Sequence, residues 1–201
     1  AFKHHIALAK GVLKPEMLGY EPNQLYAYDP EKAKSLMAEA GFKDGFEVNI
    51  AYPPRPMAVL ILGPLPAMLG EIAIKTNIEA METQPYQNTI ADVSQTKIHI
   101  FAQPTGYDEE SVHFFDYWLS DRRLRAGMDH PYLNDLLNRA RKNTDKDARI
   151  ALYKEAGRYS MDNALMVWLL WLEVFTGASN KLKVIRWWGE GGFMPYMTLV
   201  R

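Results

Sequence analysis

Strand-like and helix-like patterns alternate along residues 46–102, and this alternation constrains the fold more than any other feature of the sequence. Residues 46–52 (FEVNIAY) alternate apolar and polar side chains, as a half-buried strand does. Further patterns predict, in the order helix, strand, helix, strand, the segments 66–72, 78–81, 86–95 and 98–102. This order and spacing indicates βαβ units, and therefore an α/β fold with a mainly parallel sheet.

A well-delimited helix precedes the alternating region. Asp29 is a good N-cap, Pro30 suits the first helical position, and Gly41 is typical of a residue that ends a helix. Apolar residues repeat between these ends at the i, i+3, i+4, i+7 spacing of one helix face: Ala33, Leu36, Met37 and Ala40. We therefore predict a helix over 30–40 with this face buried.

The sequence after residue 103 is mostly helical in pattern. Pro131 begins an amphipathic helix with the apolar positions Leu133, Leu136, Leu137 and Ala140. Thr144 and Asp147 resemble a capping box that opens a second helix. The apolar face of this helix consists of Ile150, Tyr153, Ala156 and Tyr159. The apolar run 164–172 predicts a fully buried strand or the end of a helix, and 197–200 predicts a short final strand.

Composition excludes several classes of protein. The 23 Lys and Arg residues nearly balance the 24 Asp and Glu residues, so no strong net field draws the chain to nucleic acid or to an acidic membrane. The absence of cysteine excludes disulfides, thiolate metal sites and a cysteine nucleophile. The longest apolar run is about half of a membrane-spanning helix, and the first residues lack the apolar stretch of a secretory signal. Because residue 1 is alanine, we expect a chain that was processed or cut from a longer one.

Catalytic motifs are sparse in this sequence. It contains no G-x-S-x-G nucleophile motif and no glycine-rich phosphate-binding loop. Glu109, His113 and Asp116 would share a helix face if a helix began near residue 108, and such side chains can bind zinc or manganese. A small metal-assisted hydrolase is therefore an alternative. Acidic residues at a helix N-terminus also interact favourably with the helix dipole, so we favour that structural interpretation and predict no metal and no cofactor.

Aromatic side chains crowd the region after the third predicted strand. Phe101, Tyr107 and Phe114 occur there together with the polar residues Gln103 and Asp108. In open α/β sheets, ligands bind at the carboxyl ends of the strands, and aromatic walls with a few polar groups suit an organic ligand. The same rings could equally belong to an ordinary core, and the pattern does not decide between the two. Nucleic-acid binding is not expected, because the rings are not interleaved with basic residues.

Three segments resemble, in the same order, signature segments of the family 5 extracellular solute-binding proteins, which are the oligopeptide-, dipeptide- and nickel-binding proteins of ABC importers. They are 26–42 (YAYDPEKAKSLMAEAGF), 69–74 (LGEIAI) and 130–156 (from HPYLNDLL to LYKEA). The resemblance covers about residues 20–180 in the family's order, with a motif typical of a solute-binding protein at each segment.

The chain departs from the family pattern at three positions. Ala73 stands where glycine is usual, and Asn134 stands where aspartate is usual. Gln103 replaces an acidic residue that, in some peptide-binding members, pairs with the amino terminus of the ligand. Asp108 corresponds to the second acidic position of the same loop. The resemblance therefore does not imply that a peptide is held here through its free amine.

The resemblance implies a fold and a division of the chain. The fold would be the C-terminal lobe of a class II periplasmic-binding-protein-like fold, with βαβ units and a mainly parallel sheet followed by helices. Residues 1–28 would be an extended connector from an N-terminal part outside this sequence. Residues 29–172 would form the α/β lobe, and residues 173–201 would return towards the first lobe and the hinge.

The resemblance also implies a function without catalysis. The chain would be the C-terminal part of the substrate-binding component of an ABC importer, on the periplasmic or extracellular face of the membrane. It would capture a peptide or similar small organic solute by lobe closure and deliver it to the permease subunits. One side of the cleft would be lined by Phe101, Gln103, Tyr107, Asp108 and Phe114, with Trp171 near the hinge. A stand-alone interaction domain with the same lobe fold is a further alternative.

Overall fold

The computed structural model describes residues 6–22, 26–54, 58, 61–91, 97–99, 111, 115, 130–172, 182–184 and 197–199. The chain divides into two compact units. The first unit contains residues 1–25, 104–123 and 128–201, and the second unit contains residues 26–103 and 124–127. The predicted division into a connector (1–28), a lobe (29–172) and a return segment (173–201) refers to roles in a two-lobed full-length protein, and it stays a prediction.

Helices and strands are mixed along the chain. The helices are α1 (Pro30–Glu39), α2 (Leu65–Gly70), α3 (Thr83–Ala91), α4 (Pro131–Lys142) and α5 (Lys146–Asp162). The strands are β1 (Ile6–Leu8), β2 (Phe46–Tyr52), β3 (Ile74–Ala80), β4 (Lys97–His99), β5 (Leu170–Leu172), β6 (Leu182–Val184) and β7 (Met197–Leu199). None of the helices in the described ranges is long and apolar enough to cross a membrane.

A three-stranded parallel sheet forms the centre of the second unit. β2 lies in the middle, with β3 on one side and β4 on the other. The register pairs Ile50 of β2 with Ile78 of β3 and with Ile98 of β4. α2 connects β2 to β3 and α3 connects β3 to β4, so the predicted α/β class with βαβ units is confirmed. β3 begins at Ile74 rather than at residue 78, where the sequence predicts its start. Backbone pairing with β2 adds residues 74–77 to the strand, although they do not belong to the segment that the sequence pattern indicates.

β2 contributes apolar side chains to both faces of the sheet. Val48 and Ile50 are buried on one face, where they form a cluster with Leu62 that α2 flanks. Ala51 points to the opposite face, because successive residues of a strand alternate in direction. There it packs against Tyr86 of α3. Each crossover helix thus supplies apolar cover to the central strand, which a parallel sheet needs.

α1 has the ends that the sequence predicts. The carboxylate of Asp29 accepts a hydrogen bond from the backbone N–H of Lys32 at 2.9 Å. At the other end, Gly41 adopts φ +88°, and the N–H of Phe42 donates to the carbonyl of Met37 at 2.8 Å. The predicted burial of its apolar face is wrong for the structure described, because no residue of α1 is buried. Caps and spacing are local signals, whereas burial needs a second surface.

The turn between α2 and β3 contains an unusual backbone conformation. Ala73 adopts φ +61°, in the left-handed region that costs an L-residue about 1–2 kcal/mol. This is the position at which the family pattern has glycine. Glycine reaches the same conformation without the clash of a Cβ atom.

We expect Ala73→Gly to stabilise the second unit. Removal of the left-handed strain outweighs the roughly 0.4–1 kcal/mol of extra unfolded-chain entropy that glycine brings, so the net gain is about 0.5–1 kcal/mol. Urea denaturation followed by far-UV circular dichroism measures the difference. Ala33→Gly in α1 is the control: it should cost about 1 kcal/mol, because glycine is unfavourable inside a helix. A loss of stability in both variants would contradict the strain at residue 73.

A helical hairpin dominates the described part of the first unit. α4 buries the apolar positions that the sequence predicts, Leu133, Leu136, Leu137 and Ala140, all at 0% exposure. α5 buries Tyr153 and Ala156 as predicted. Ile150 and Tyr159, the outer members of the predicted face, are only partly buried. Leu152, Ser160 and Met161 are buried as well, so the buried side of α5 differs in width and centre from the predicted stripe.

The N-cap of α5 is a correction to the sequence analysis. The cap is Asp145, not Thr144, since its carboxylate accepts hydrogen bonds from the N–H groups of Asp147 at 2.8 Å and Ala148 at 3.1 Å. Both residue types are good N-caps, so residue preference alone does not choose between neighbours.

Residues 9–22 lie against α5 although they contain no helix or strand. Val12 and Leu13 are buried, and together with Glu21 they line a small cavity shared with Lys154 and Gly157 of α5. The Arg158 guanidinium donates to the Glu21 carboxylate at 2.7 and 3.1 Å, and this hydrogen bond lowers the pKa of Glu21. Buried side chains and an ion pair therefore fasten this irregular segment.

The apolar run 164–172 is not the fully buried strand or helix end that the sequence predicts. Only Leu170–Leu172 form a strand, and it pairs antiparallel with β1. Val167 is 80% exposed. A two-stranded pair of three residues cannot cover both faces of such a run. The predicted final strand is confirmed at Met197–Leu199, which pairs antiparallel with Leu182–Val184.

Candidate ligand-binding site

Most of the predicted ligand-binding residues lie outside the described residues. These are Phe101, Gln103, Tyr107, Asp108 and Phe114. The alternative metal set, Glu109, His113 and Asp116, also lies outside them. Trp171 alone of the predicted residues can be placed in the fold. In the parts of the chain that the structure describes, no group of His, Asp and Glu side chains could hold a metal ion.

Trp171 is held by a strand and by a second tryptophan. It occupies the centre of β5, opposite Ala7 of β1 in the antiparallel register. Its ring stacks on the ring of Trp168, with centroids 6.3 Å apart and planes inclined by 28°. Both rings are only partly buried. Strand pairing therefore fixes the backbone of Trp171, while the stack restricts the orientation of its ring.

A lysine lies over the same aromatic pair. The ammonium nitrogen of Lys14 is 5.6 Å from the ring centroid of Trp171, within the range of a cation–π interaction. Burial lowers the pKa of the Lys14 ammonium, and the nearby Glu16 carboxylate opposes this effect. The pKa falls because a low-dielectric environment disfavours the charged form. Lys14, Trp168 and Trp171 together form the Trp–Lys cluster.

Two described residues close to Phe114 in the sequence, Ser111 and Phe115, belong to the core of the first unit. Phe115 is fully buried, and its ring stacks on Tyr153 of α5 with centroids 6.5 Å apart. Ser111 is also fully buried, and its hydroxyl donates to the carbonyl of Leu18. For Phe115, the interpretation of the aromatic region as ordinary core is therefore correct. For the five predicted cleft residues, the role remains a prediction.

The Trp–Lys cluster suits recognition rather than catalysis. Two stacked indole rings offer an apolar face to a planar or aliphatic group, and an ammonium can pair with a carboxylate. Sequence reasoning missed Lys14 and Trp168. Trp168 lies three residues before Trp171 in the apolar run, which could have pointed to it. Lys14 left no such signal, because it reaches the cluster from a segment more than 150 residues away along the chain.

Comparison with known proteins places the chain in a family. The sequence profile described as "Bacterial extracellular solute-binding proteins, family 5 Middle" matches residues 1–124. The dipeptide-binding protein of Escherichia coli K12 is 27% identical over 187 residues, which are 87% of this chain and 34% of that protein. The heme-binding protein A of Haemophilus influenzae is 33% identical over 162 residues, 74% of this chain and 28% of that protein. The chain thus spans about a third of the length of these relatives.

Solved structures share the fold. A dipeptide-binding protein from Pseudoalteromonas sp. SM9913, in complex with Met-Leu, superposes with a TM-score of 0.78 at 21% identity, over 90% of this chain and 38% of that one. HbpA2 from Haemophilus parasuis superposes with a TM-score of 0.77 at 19% identity, over 100% of this chain and 41% of that one. The relatives are solute-binding proteins and not enzymes. The chain belongs to the family 5 bacterial extracellular solute-binding proteins.

Proposed function

We propose that this chain is part of the substrate-binding component of an ABC importer. The observation that carries the proposal is the family match over residues 1–124, supported by a fold shared with a dipeptide-binding protein over 90% of the chain. The solute would be a peptide or a similar small organic molecule. The protein would act on the periplasmic or extracellular face of the membrane and pass its solute to permease subunits.

The proposal includes a second lobe. The chain spans 34% and 28% of two relatives, so most of each relative's length corresponds to nothing in these 201 residues. We propose that polypeptide outside this sequence supplies an N-terminal lobe, and that the two lobes close over the solute by a hinge motion. The residues Phe101, Gln103, Tyr107, Asp108 and Phe114 would line this chain's side of the cleft.

As a separate proposal, we assign the Trp–Lys cluster to the same cleft. Trp171 was expected near the hinge, and its contacts with Trp168 and Lys14 give it the chemistry of a binding wall. An apolar side chain of a peptide could lie against the indole rings, while its carboxylate pairs with the ammonium. The dipeptide-binding protein from Pseudoalteromonas sp. SM9913, which shares this fold, was solved with such a dipeptide, Met-Leu, and this supports the proposal.

Ligand-induced stabilisation of the full-length protein tests the proposal. A panel of dipeptides, tripeptides and other small organic solutes, with Met-Leu and glutathione among them, is screened by thermal unfolding. We expect one class of solute to raise the melting temperature, because a ligand at 100 times its Kd adds about 2.7 kcal/mol to the native state. No response to any member would contradict the transport function and favour the stand-alone interaction domain.

Two variants connect the response to the cluster. Trp171→Leu should abolish or strongly reduce the ligand-induced rise, because it removes the ring that Trp168 and Lys14 contact. Tyr132→Leu is the matched control in the same unit: Tyr132 is 46% exposed, and its ring packs against that of Tyr159 in α5. If both variants show the same ligand-induced rise in melting temperature as the unchanged protein, the cluster does not belong to the cleft. The proposed transport function would not be contradicted by that result.

A further inference from the structure

We propose that the apolar face of α1 is a docking surface for the polypeptide that lies outside these 201 residues in the full-length protein. This face consists of Ala33, Leu36, Met37 and Ala40, and we name it the α1 stripe. The inference rests on the proposed function only in that it assumes a longer protein. It goes further by naming which surface of this chain the remaining polypeptide covers.

The α1 stripe is apolar but not buried. No residue of α1 is buried, and Leu36 is 53% exposed. The polar residues of α1 are satisfied on the other side: Lys34 pairs with Glu31 at 2.7 Å, and the Ser35 hydroxyl donates to Glu39 at 3.1 Å. The helix thus has one face with its own polar contacts and one apolar face on which Leu36 and Ala40 are exposed and Ala33 and Met37 are only partly buried.

A helix of this length is not stable by its own hydrogen bonds. α1 has 10 residues, whereas isolated helices shorter than about 12–15 residues are marginal in water. Its two caps help, but most helix stability in proteins comes from packing of an amphipathic face. Transfer of apolar side chains such as Leu36 from water to an apolar contact is favourable. Covering the α1 stripe would therefore supply the stabilisation that the helix lacks.

Apolar exposure continues beyond the C-terminal end of α1. Phe42 is 50% exposed and Phe46 is 40% exposed, and their rings contact edge to face with centroids 5.2 Å apart. The N–H of Phe42 donates to the carbonyl of Met37, so this pair adjoins the last turn of the helix. Contiguous exposed apolar surface of this kind is typical of an interaction site rather than of scattered surface residues.

The length of the relatives is our reason for naming the rest of the same polypeptide as the occupant. This chain spans 34% of one relative and 28% of another, so most of a full-length protein of this family lies outside the sequence. We therefore commit to the same polypeptide as the occupant, and treat self-association as a result that would overturn the proposal.

Single cysteines can test the α1 stripe directly, because the chain contains none. Leu36→Cys reports on the stripe. Ser35→Cys is the matched control, since it changes one atom on the neighbouring, exposed polar side of the same helix. Both variants are made in the 201-residue chain and in the full-length protein. The rate of alkylation at each cysteine is followed by mass spectrometry of the peptide that carries it.

We expect both cysteines to react at similar rates in the 201-residue chain. In the full-length protein we expect Cys at position 36 to react about tenfold or more slowly than Cys at position 35, because it must wait for local opening. Ala40→Cys, a smaller change at an exposed position of the same stripe, repeats the measurement if Leu36→Cys does not fold.

Three results would overturn the proposal. Equal rates in the full-length protein would show that the stripe is open there. Slow reaction at position 36 already in the dilute 201-residue chain would show that another part of this chain covers it. Protection that grows with protein concentration would assign the surface to self-association. None of these results affects the ligand-induced rise in melting temperature, so failure here and failure of the transport function are distinguishable.

Discussion

Gly45→Ala is expected to disrupt the turn that joins α1 to the parallel sheet, at a cost of about 2–5 kcal/mol. Gly45 adopts φ +76°, and a Cβ atom built on it would lie 1.9 Å from the carbonyl oxygen of Ala73. That oxygen belongs to the backbone and cannot rotate away. The estimate adds about 1–2 kcal/mol of left-handed strain to about 1–3 kcal/mol of forced displacement.

Gly41→Ala separates the two contributions. Gly41 has a similar conformation, φ +88°, but nothing lies within 4 Å of a Cβ built on it. It should therefore cost only the strain of the left-handed conformation, about 1–2 kcal/mol. Hydrogen exchange of the β2 and β3 amides, with urea denaturation for the free energy of unfolding, measures both variants. Equal losses of stability in the two variants would mean that the Ala73 carbonyl can move away from the new Cβ atom at no cost. That result would contradict the expected clash between residue 45 and Ala73.

Leu136→Ala is expected to destabilise the first unit by about 2–5 kcal/mol. Leu136 lies in the middle of α4 at 0% exposure, so its truncation leaves a cavity among packed neighbours. Unfolding is followed by tryptophan fluorescence, because Trp168 and Trp171 belong to the same unit and the range 26–103 contains no tryptophan.

Leu36→Ala is the matched control on another helix. Leu36 is 53% exposed, so the same truncation should change the free energy of unfolding by about 0.5 kcal/mol or less in the 201-residue chain. Far-UV circular dichroism measures both leucine variants on one scale. A large effect at Leu36 in this chain would contradict its exposure and also the proposed docking surface, which is open until further polypeptide covers it.

The resemblance noted in the sequence carries the family and the fold class, and both are confirmed. It succeeds because it combines segments that the fold uses in order: a capped helix, a strand, a turn and a helical hairpin. The site is much less accessible to sequence reasoning. Of the six predicted ligand-binding residues, Trp171 is the one within the described residues, and its partners Lys14 and Trp168 were not predicted.

Local signals alone determine several elements of this protein. The sequence by itself determined both ends of α1, the bounds of β2 and the buried positions of α4, because caps, alternation and helical spacing act within a few residues. Such signals do not distinguish Asp145 from Thr144 as the N-cap of α5. Either residue could accept the hydrogen bonds, and the path of the backbone decides.

Only the tertiary structure decided which apolar surfaces are buried and which distant residues meet. The α1 stripe and the run 164–172 are as apolar as the buried face of α4, yet Leu36 and Val167 remain exposed. Burial depends on a second surface, and local spacing carries no information about its presence. The contact of Lys14 with Trp171 likewise follows from the pairing of β1 with β5. Local signals therefore made the fold class predictable, whereas the Trp–Lys cluster depends on long-range pairing and was not predictable from the sequence.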